Sequence, residues 1–566
     1  ASRPCMSESL VAAWRADGWD DSDIRDELDR RWSEFSDFGI DGGDWGEWCR
    51  RVQRLFGGKG RAPGLQRPVW GRIGGGKRMG GNGSLLLRRL WRAYNGLLEA
   101  TRNWADGRSF DAERGVARVA RRWSLTGRLG PCWETWRWSE ALVWVAHIKK
   151  VAQEVEDGER LERVAEWKGD VGGKWDAGRT AAAFQFAKRL EGAGKPGGVL
   201  VDGDPVMGCV AVAGAIRTAW APIYGQKADI DVDGIRREWA SVLASLGGSM
   251  VALPALSGSL LQAAAQRTWA GVSEGPDGLR LGDLLWLPSV AWDELAGVLE
   301  RMEVHGWDDA LVLGRVVSLP KTDVGVPDAG GMRPITVLSM VVRLWGKARM
   351  AQLGEWVDRW RHPAQSGLRG NPGSEHGAWV NALGVEAARV HGRVRVGVSF
   401  DLAKAFDRVD WRVLGLLLGA TGFPEVLGDA VLNLYGRLRR VFQAPGGRRV
   451  SDELSAVRGI PQGCALAPVL MSLVVRFWVG ALEELGLPVE ATITVDDVHV
   501  GVMVWGSGVS VIARARAALR SVVSRSLRVL DDLGMLVNVN KCGAWSTLSS
   551  VMSGEGVYAG GRCVPW

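Results

Sequence analysis

The sequence predicts an α+β fold, an antiparallel sheet backed by helices, and three observations carry that prediction. Apolar residues alternate along Val398-Ser-Phe-Asp401 and again along Ile493-Thr-Val-Asp496-Asp497-Val-His-Val500, the period of half-buried strands. The Asp pair inside the second run reads as the tight turn of a hairpin. Beyond it, Leu519, Val522, Val523, Leu527, Leu530 and Leu533 recur at three- and four-residue steps, the stripe of a helix over 510–533 that Gly534 stops. Strands followed by a returning helix give a sheet with helices on one face.

Earlier parts of the chain are read in order. Residues 1–50 are an acidic segment with helix-like patterns such as the one over 23–32. Residues 51–84 are a basic, Gly-rich linker. From Arg50 to Arg92 lie Arg50, Arg51, Arg54, Lys59, Arg61, Arg67, Arg72, Lys77, Arg78, Arg88, Arg89 and Arg92, with no Asp or Glu among them. Such a stretch is either an arm that binds phosphates by releasing counterions or a solvated linker. Residues 85–191 show helical spacing, as in Leu86, Leu90 and Leu97, and are expected to form a helical domain. Gly192-Ala-Gly-Lys-Pro-Gly-Gly198 and Asp202-Gly-Asp-Pro205 mark 192–231 as a second linker. The rest, 232–566, opens with helices over 235–246 and 292–302 around a Gly275-Pro-Asp277-Gly278 turn.

A chain of 566 residues with 46% apolar content has room for several packed domains. Its net charge of +7 suits a polyanionic partner, although 71 basic against 64 acidic residues is a modest excess. Seven scattered cysteines without a Cys-x-x-Cys pair argue against a zinc site or a disulfide framework and favour a reducing, intracellular setting. No apolar run reaches membrane-spanning length, so no membrane partner is expected. The 30 tryptophans are read first as core residues, and base stacking is the lesser reading. A start at Ala-Ser-Arg-Pro suggests a fragment of a longer product.

If the two acidic strands lie side by side, Asp401 and Asp496 converge at one end of the sheet. Carboxylates brought together in that way are unfavourable without divalent cations, and Mg²⁺ prefers an all-oxygen environment. Four further segments accompany them: Leu319-Pro-Lys321, Gly330-Gly-Met-Arg333-Pro334-Ile335, Arg458-Gly459-Ile460-Pro461-Gln462-Gly463, and Gly534-Met-Leu-Val-Asn538-Val-Asn-Lys541.

In this order and spacing the six segments resemble the reverse transcriptases of retrotransposons lacking long terminal repeats, over about residues 260 to 550. The resemblance implies the fingers and palm of a right-hand polymerase. It also implies an RNA template, a DNA primer or target DNA, deoxynucleotides, two Mg²⁺ ions with Mn²⁺ as a substitute, and, from how such elements insert, nuclear residence. Asp401, Asp496 and Asp497 would then be catalytic and metal-binding. Lys321, Arg333, Phe406, Gln462 and Lys541 would bind the nucleotide, Phe406 as the ring that excludes a 2′-hydroxyl. Gly459, Pro461 and Gly463 would face template and primer. Two departures stand out: Thr494 occupies the position of an aromatic residue two before the Asp pair, and the residues after Lys541 are too few for a helical thumb. These departures leave a second reading open, a catalytically impaired remnant that only binds RNA.

Overall fold

A computed structural model describes residues 6–36, 44–56 and 198–566, apart from 208, 270–271, 322–325, 367, 369–373, 444–450 and 507, together with 94, 145–146, 148–155 and 158. The chain divides into two compact units, 4–73 with 195–566 and 74–194 with the first three residues. In the second unit, 148–155 is helical. Most of the helical domain expected over 85–191 and the cations from Lys59 to Arg92 lie outside the described residues.

Among its described residues the first unit holds twelve strands: β1 Gly198–Val201, β2 Asp204–Met207, β3 Leu313–Leu319, β4 Arg333–Val337, β5 Gln365–Ser366, β6 Val394–Phe400, β7 Arg439–Gln443, β8 Val489–Thr494, β9 Asp497–Val504, β10 Gly543–Ser546, β11 Gly556–Ala559 and β12 Arg562–Pro565. The main sheet has the order β10-β6-β9-β8-β5. Its first four strands run antiparallel, whereas β5 joins β8 in parallel and makes the sheet mixed. A smaller sheet, β4-β3-β7, lies earlier in the chain.

Alternation decides which face of the main sheet is buried. Val394, Val396, Val398 and Phe400 of β6 and Val498, Val500, Val502 and Val504 of β9 are all buried. The register pairs Val398 with Val500 and Val396 with Val502, so they form one apolar face. Against the sheet pack the helices Ala467–Glu483, apolar nearly all round, and Val509–Asp532, whose Leu519, Val522, Val523, Leu527 and Leu530 are buried. Gly534 follows at φ +68 and closes the second helix as the spacing predicts. One helix departs from the one-sided expectation: Ser374–Val390 packs on β6 and β8, and its Asn381 carbonyl accepts from Arg395, which alternates away from the apolar face.

Residues 6–56 are part of this unit and not a separate acidic segment. The helices Met6–Ala16, Asp21–Ser36 and Trp45–Leu55 send Trp32, Trp45, Trp48, Cys49, Val52 and Leu55 into the same core as Trp292 and Leu295. Asp44 caps the third helix through the Gly46 N–H, and that helix runs through the expected boundary at 50. Arg51 lies 4.4 Å from the Trp32 ring centroid and pairs with Glu294 at 2.6 Å, so it is not part of an arm.

The expected linker over 192–231 is also corrected. Asp202 and Gly203 both have positive φ, 52° and 91°, and close a two-residue hairpin between β1 and β2. The helix Cys209–Gly225 then packs against β7. The Gly-Pro-Asp-Gly segment is a buried anchor: Asp277 accepts from Ser339 Oγ at 2.6 Å and from the Met340 N–H at 2.9 Å. After the main sheet, the described residues end in the β11–β12 hairpin, packed on the Val509–Asp532 helix.

Candidate active site

The β8–β9 turn and the end of β6 lie at the same end of the main sheet. Phe400 pairs with Val498 on the apolar face, so Asp401, the next residue, alternates to the open face. Thr494 pairs with Asp497 across the turn, which puts Asp497 on that same open face and Asp496 at the tip. Val495 makes the turn at φ +58, a left-handed conformation that a β-branched residue adopts only when its surroundings impose it. The stretch after β6 is pinned by the Asn538 N–H donating to the Asp401 carbonyl at 2.8 Å and the Ala403 N–H donating to Leu536 at 2.7 Å.

Electrostatics show that these groups sense one another. Burial pushes the Asp496 carboxyl above the usual carboxylate range, the charges of Asp497 and Asp401 push the same way, and Arg333 pulls it back. A carboxylate so placed carries excess negative charge toward which an oxygen-preferring divalent cation is the natural complement. The donor chemistry therefore fits a hard cation. Asp401, Asp496 and Asp497 are not, however, closed into a ready cluster: among the described residues no three such side chains are gathered for a metal ion. Asp497 is exposed and Asp496 half-buried, an open arrangement that mutual repulsion favours.

Arg333 enters from the smaller sheet. It opens β4 opposite Leu319, so it and Lys321 lie at the same end of the β3–β4 pair, and both are exposed. The charge of Lys321 acts on Lys404. Lys404 itself has φ 55 and places its ammonium 4.2 Å from the Trp220 ring centroid. Its pKa is lowered by burial and partly restored by Asp407.

Gly459, Pro461, Gln462 and Gly463 form a loop stitched to the helix Ala405–Arg408 and to the smaller sheet. The Ile460 N–H donates to the Phe406 carbonyl at 2.7 Å, and the Thr336 N–H of β4 donates to the Gln462 carbonyl at 2.6 Å. Gly459 at φ +100 and Gly463 at φ +130 have no room for a side chain: a Cβ would lie 2.9 Å from the Asp407 carbonyl oxygen and 2.2 Å from that of Thr336. Pro461 is buried beneath the loop, and Phe406 is half-buried on the helix Ala405–Arg408. The Gln462 side chain donates to Asp407 Oδ2 at 2.8 Å.

Lys541 is exposed in a 3₁₀ turn, Val539–Lys541, next to Cys542, whose Sγ accepts from the Asp401 N–H at 3.4 Å. Thr494, in place of an aromatic ring, shares a 2.8 Å hydrogen bond with the buried Ser366 of β5. Sequence reasoning missed Asp407 and Tyr224. Asp407 directly follows Phe406 in Lys404-Ala-Phe406-Asp407, and a second carboxylate six residues after Asp401 is its only signal. Tyr224 had none.

Set on this geometry, residues 319–552 match the family described as reverse transcriptase (RNA-dependent DNA polymerase). The chain is similar to the retrovirus-related Pol polyprotein from type-2 retrotransposable element R2DM of Drosophila melanogaster, with 26% identity over 313 residues. That alignment takes in 53% of this chain and 28% of the relative, so the likeness spans under a third of the relative's length. Both likenesses agree with the class of reverse transcriptase carried by retrotransposons lacking long terminal repeats.

Proposed function

We propose that the chain is an RNA-directed DNA polymerase of a retrotransposon, extending a primer 3′-hydroxyl with deoxynucleotides on an RNA template. The observation that supports this reading is that Asp401 and the Asp496-Asp497 turn lie at the same end of paired strands, near enough to Arg333 that the charges of Asp497, Arg333 and Asp401 all act on the Asp496 carboxyl. Asp401 and Asp496 would hold Mg²⁺, or Mn²⁺ in its place, with Asp497 beside them. What two such ions supply when bound is Lewis acidity toward the attacking hydroxyl and the leaving pyrophosphate. Arg333, with its planar fork, and Lys321 bind triphosphate oxygens. In this reading Phe406 is the ring that excludes a ribose 2′-hydroxyl, and Lys541 gives a proton to pyrophosphate. The loop at Gly459, Pro461 and Gly463 lets template and primer approach the backbone. Target DNA as primer and nuclear residence belong to the same reading. No described helix is long and apolar enough to cross a membrane.

Primer extension on an RNA template with Mg²⁺ tests the proposal. The wild-type chain incorporates deoxynucleotides and Asp496→Ala lowers incorporation by at least about a thousandfold, the order expected when charge stabilisation at the reacting centre is lost. RNA binding without incorporation by the wild type would instead establish the binding-only remnant.

A further inference from the structure

The hairpin and helix over 198–225 touch the candidate site at three places. The Leu200 N–H donates to the Pro327 carbonyl at 2.9 Å, on the approach to Arg333. The Val457 N–H donates to the Tyr224 carbonyl at 2.9 Å, and Arg458 Nε donates to the Ile223 carbonyl at 2.9 Å, just ahead of the Gly459 loop. Tyr224 Oη donates to Asp407 Oδ1 at 2.9 Å while Gln462 Nε2 donates to Oδ2.

A Gln side chain has nearly the same shape with its amide turned either way, so its orientation must be imposed by partners. Here the backbone of Gln462 is already fixed by Thr336. Among the described residues it is Asp407 that distinguishes the two amide faces: a carboxylate accepts, so the –NH₂ turns inward and the carbonyl Oε1 turns outward. Asp407 is in turn held by Tyr224, whose ring is buried with Arg440 4.8 Å from its centroid and Trp220 at 5.7 Å.

We propose that Tyr224 and Asp407 are positioning residues that hold Gln462 with its carbonyl toward the incoming nucleotide, making 198–225 a brace for nucleotide binding. This rests on the polymerase reading. Without the brace the amide is free to turn, and nucleotides bind less well while the reacting groups are untouched.

Single-nucleotide kinetics on the full chain, with an RNA template and a DNA primer, test it. Tyr224→Phe keeps the ring and removes the hydroxyl; the KM for deoxynucleotide rises about tenfold and kcat stays within about twofold, the pattern of lost binding energy. Combining Tyr224→Phe with Gln462→Ala adds nothing to Gln462→Ala alone. An unchanged KM in Tyr224→Phe, an equal fall in kcat, or additive effects in the double variant would overturn the proposal. A readout independent of activity is the side-chain amide ¹⁵N resonance of Gln462, assigned by its loss in Gln462→Ala. It moves in Tyr224→Phe and moves further in Asp407→Asn, where an –NH₂ faces the amide; a resonance unmoved in both also overturns the proposal. If the wild-type chain extends no primer, the polymerase reading fails, and this resonance still decides whether the amide is held.

Discussion

Burial sets the chemistry of Asp407. It is 2% exposed, and desolvation pushes its carboxyl up to about 6 although Tyr224, Arg440, Gln462 and Lys404 all favour the ionised form. A carboxyl near 3.8 in the unfolded chain and about 6 in the folded one favours folding fully below pH 3.8, and that contribution is lost as pH rises through about 6. The swing is roughly 3 kcal/mol. Asp407→Asn removes it, so the Tm of the variant relative to wild type rises between pH 4 and pH 8. A difference that stays flat with pH would show that Asp407 does not titrate in this range. Phe406 is judged at the same scale. Phe406→Ala removes the half-buried ring and should lower discrimination against ribonucleotides at least about tenfold, a loss of steric exclusion read from paired kcat/KM values. Unaltered sugar selectivity would leave the ring only its packing role. Thr494 shows why a single departure from a pattern is a weak argument, since its hydroxyl bonds Ser366 and keeps the end of β8 ordered.

The elements that the sequence showed best are those with long, clean periods. The Val509–Asp532 helix ends next to Gly534, and the two acidic strands pair as alternation required. Elements were misread where punctuation had two meanings. Asp202-Gly203 signals a loop in a linker and also the tight turn of a hairpin; short strands of four residues on each side made the second reading hard to see. The helix Trp45–Leu55 was divided because its basic residues were counted as charge, whereas its Trp45, Trp48, Cys49, Val52 and Leu55 form a buried stripe. Trp48 is buried and donates from Nε1 to the Ala291 carbonyl at 3.0 Å. Trp48→Ala should therefore cost roughly 3 kcal/mol or more in denaturant unfolding, by leaving a cavity in the core. A loss near zero would mean that this helix does not support the core of the first unit.

At the scale of the whole unit, the candidate site is assembled from segments that are far apart in the chain: Arg333 from the smaller sheet, Asp401 and Asp496 from the main one, Gln462 from a loop stitched to the helix Ala405–Arg408 and to the smaller sheet. The N-terminal helices contribute to stability through the core around Trp292, and 198–225 contributes through Tyr224, which meets Asp407 across 183 residues. By itself the sequence determined the carboxylates, the strands that carry them, the helix behind them and the cations beside them, because period and motif are local properties of consecutive residues. Only the tertiary structure decided that Asp407 is buried, that Tyr224 holds it, that a helix covers part of the open face, and that an acidic, Trp-rich beginning packs into the core. Periodicity reports that a face will be buried; what lies against it is chosen by packing among all segments at once.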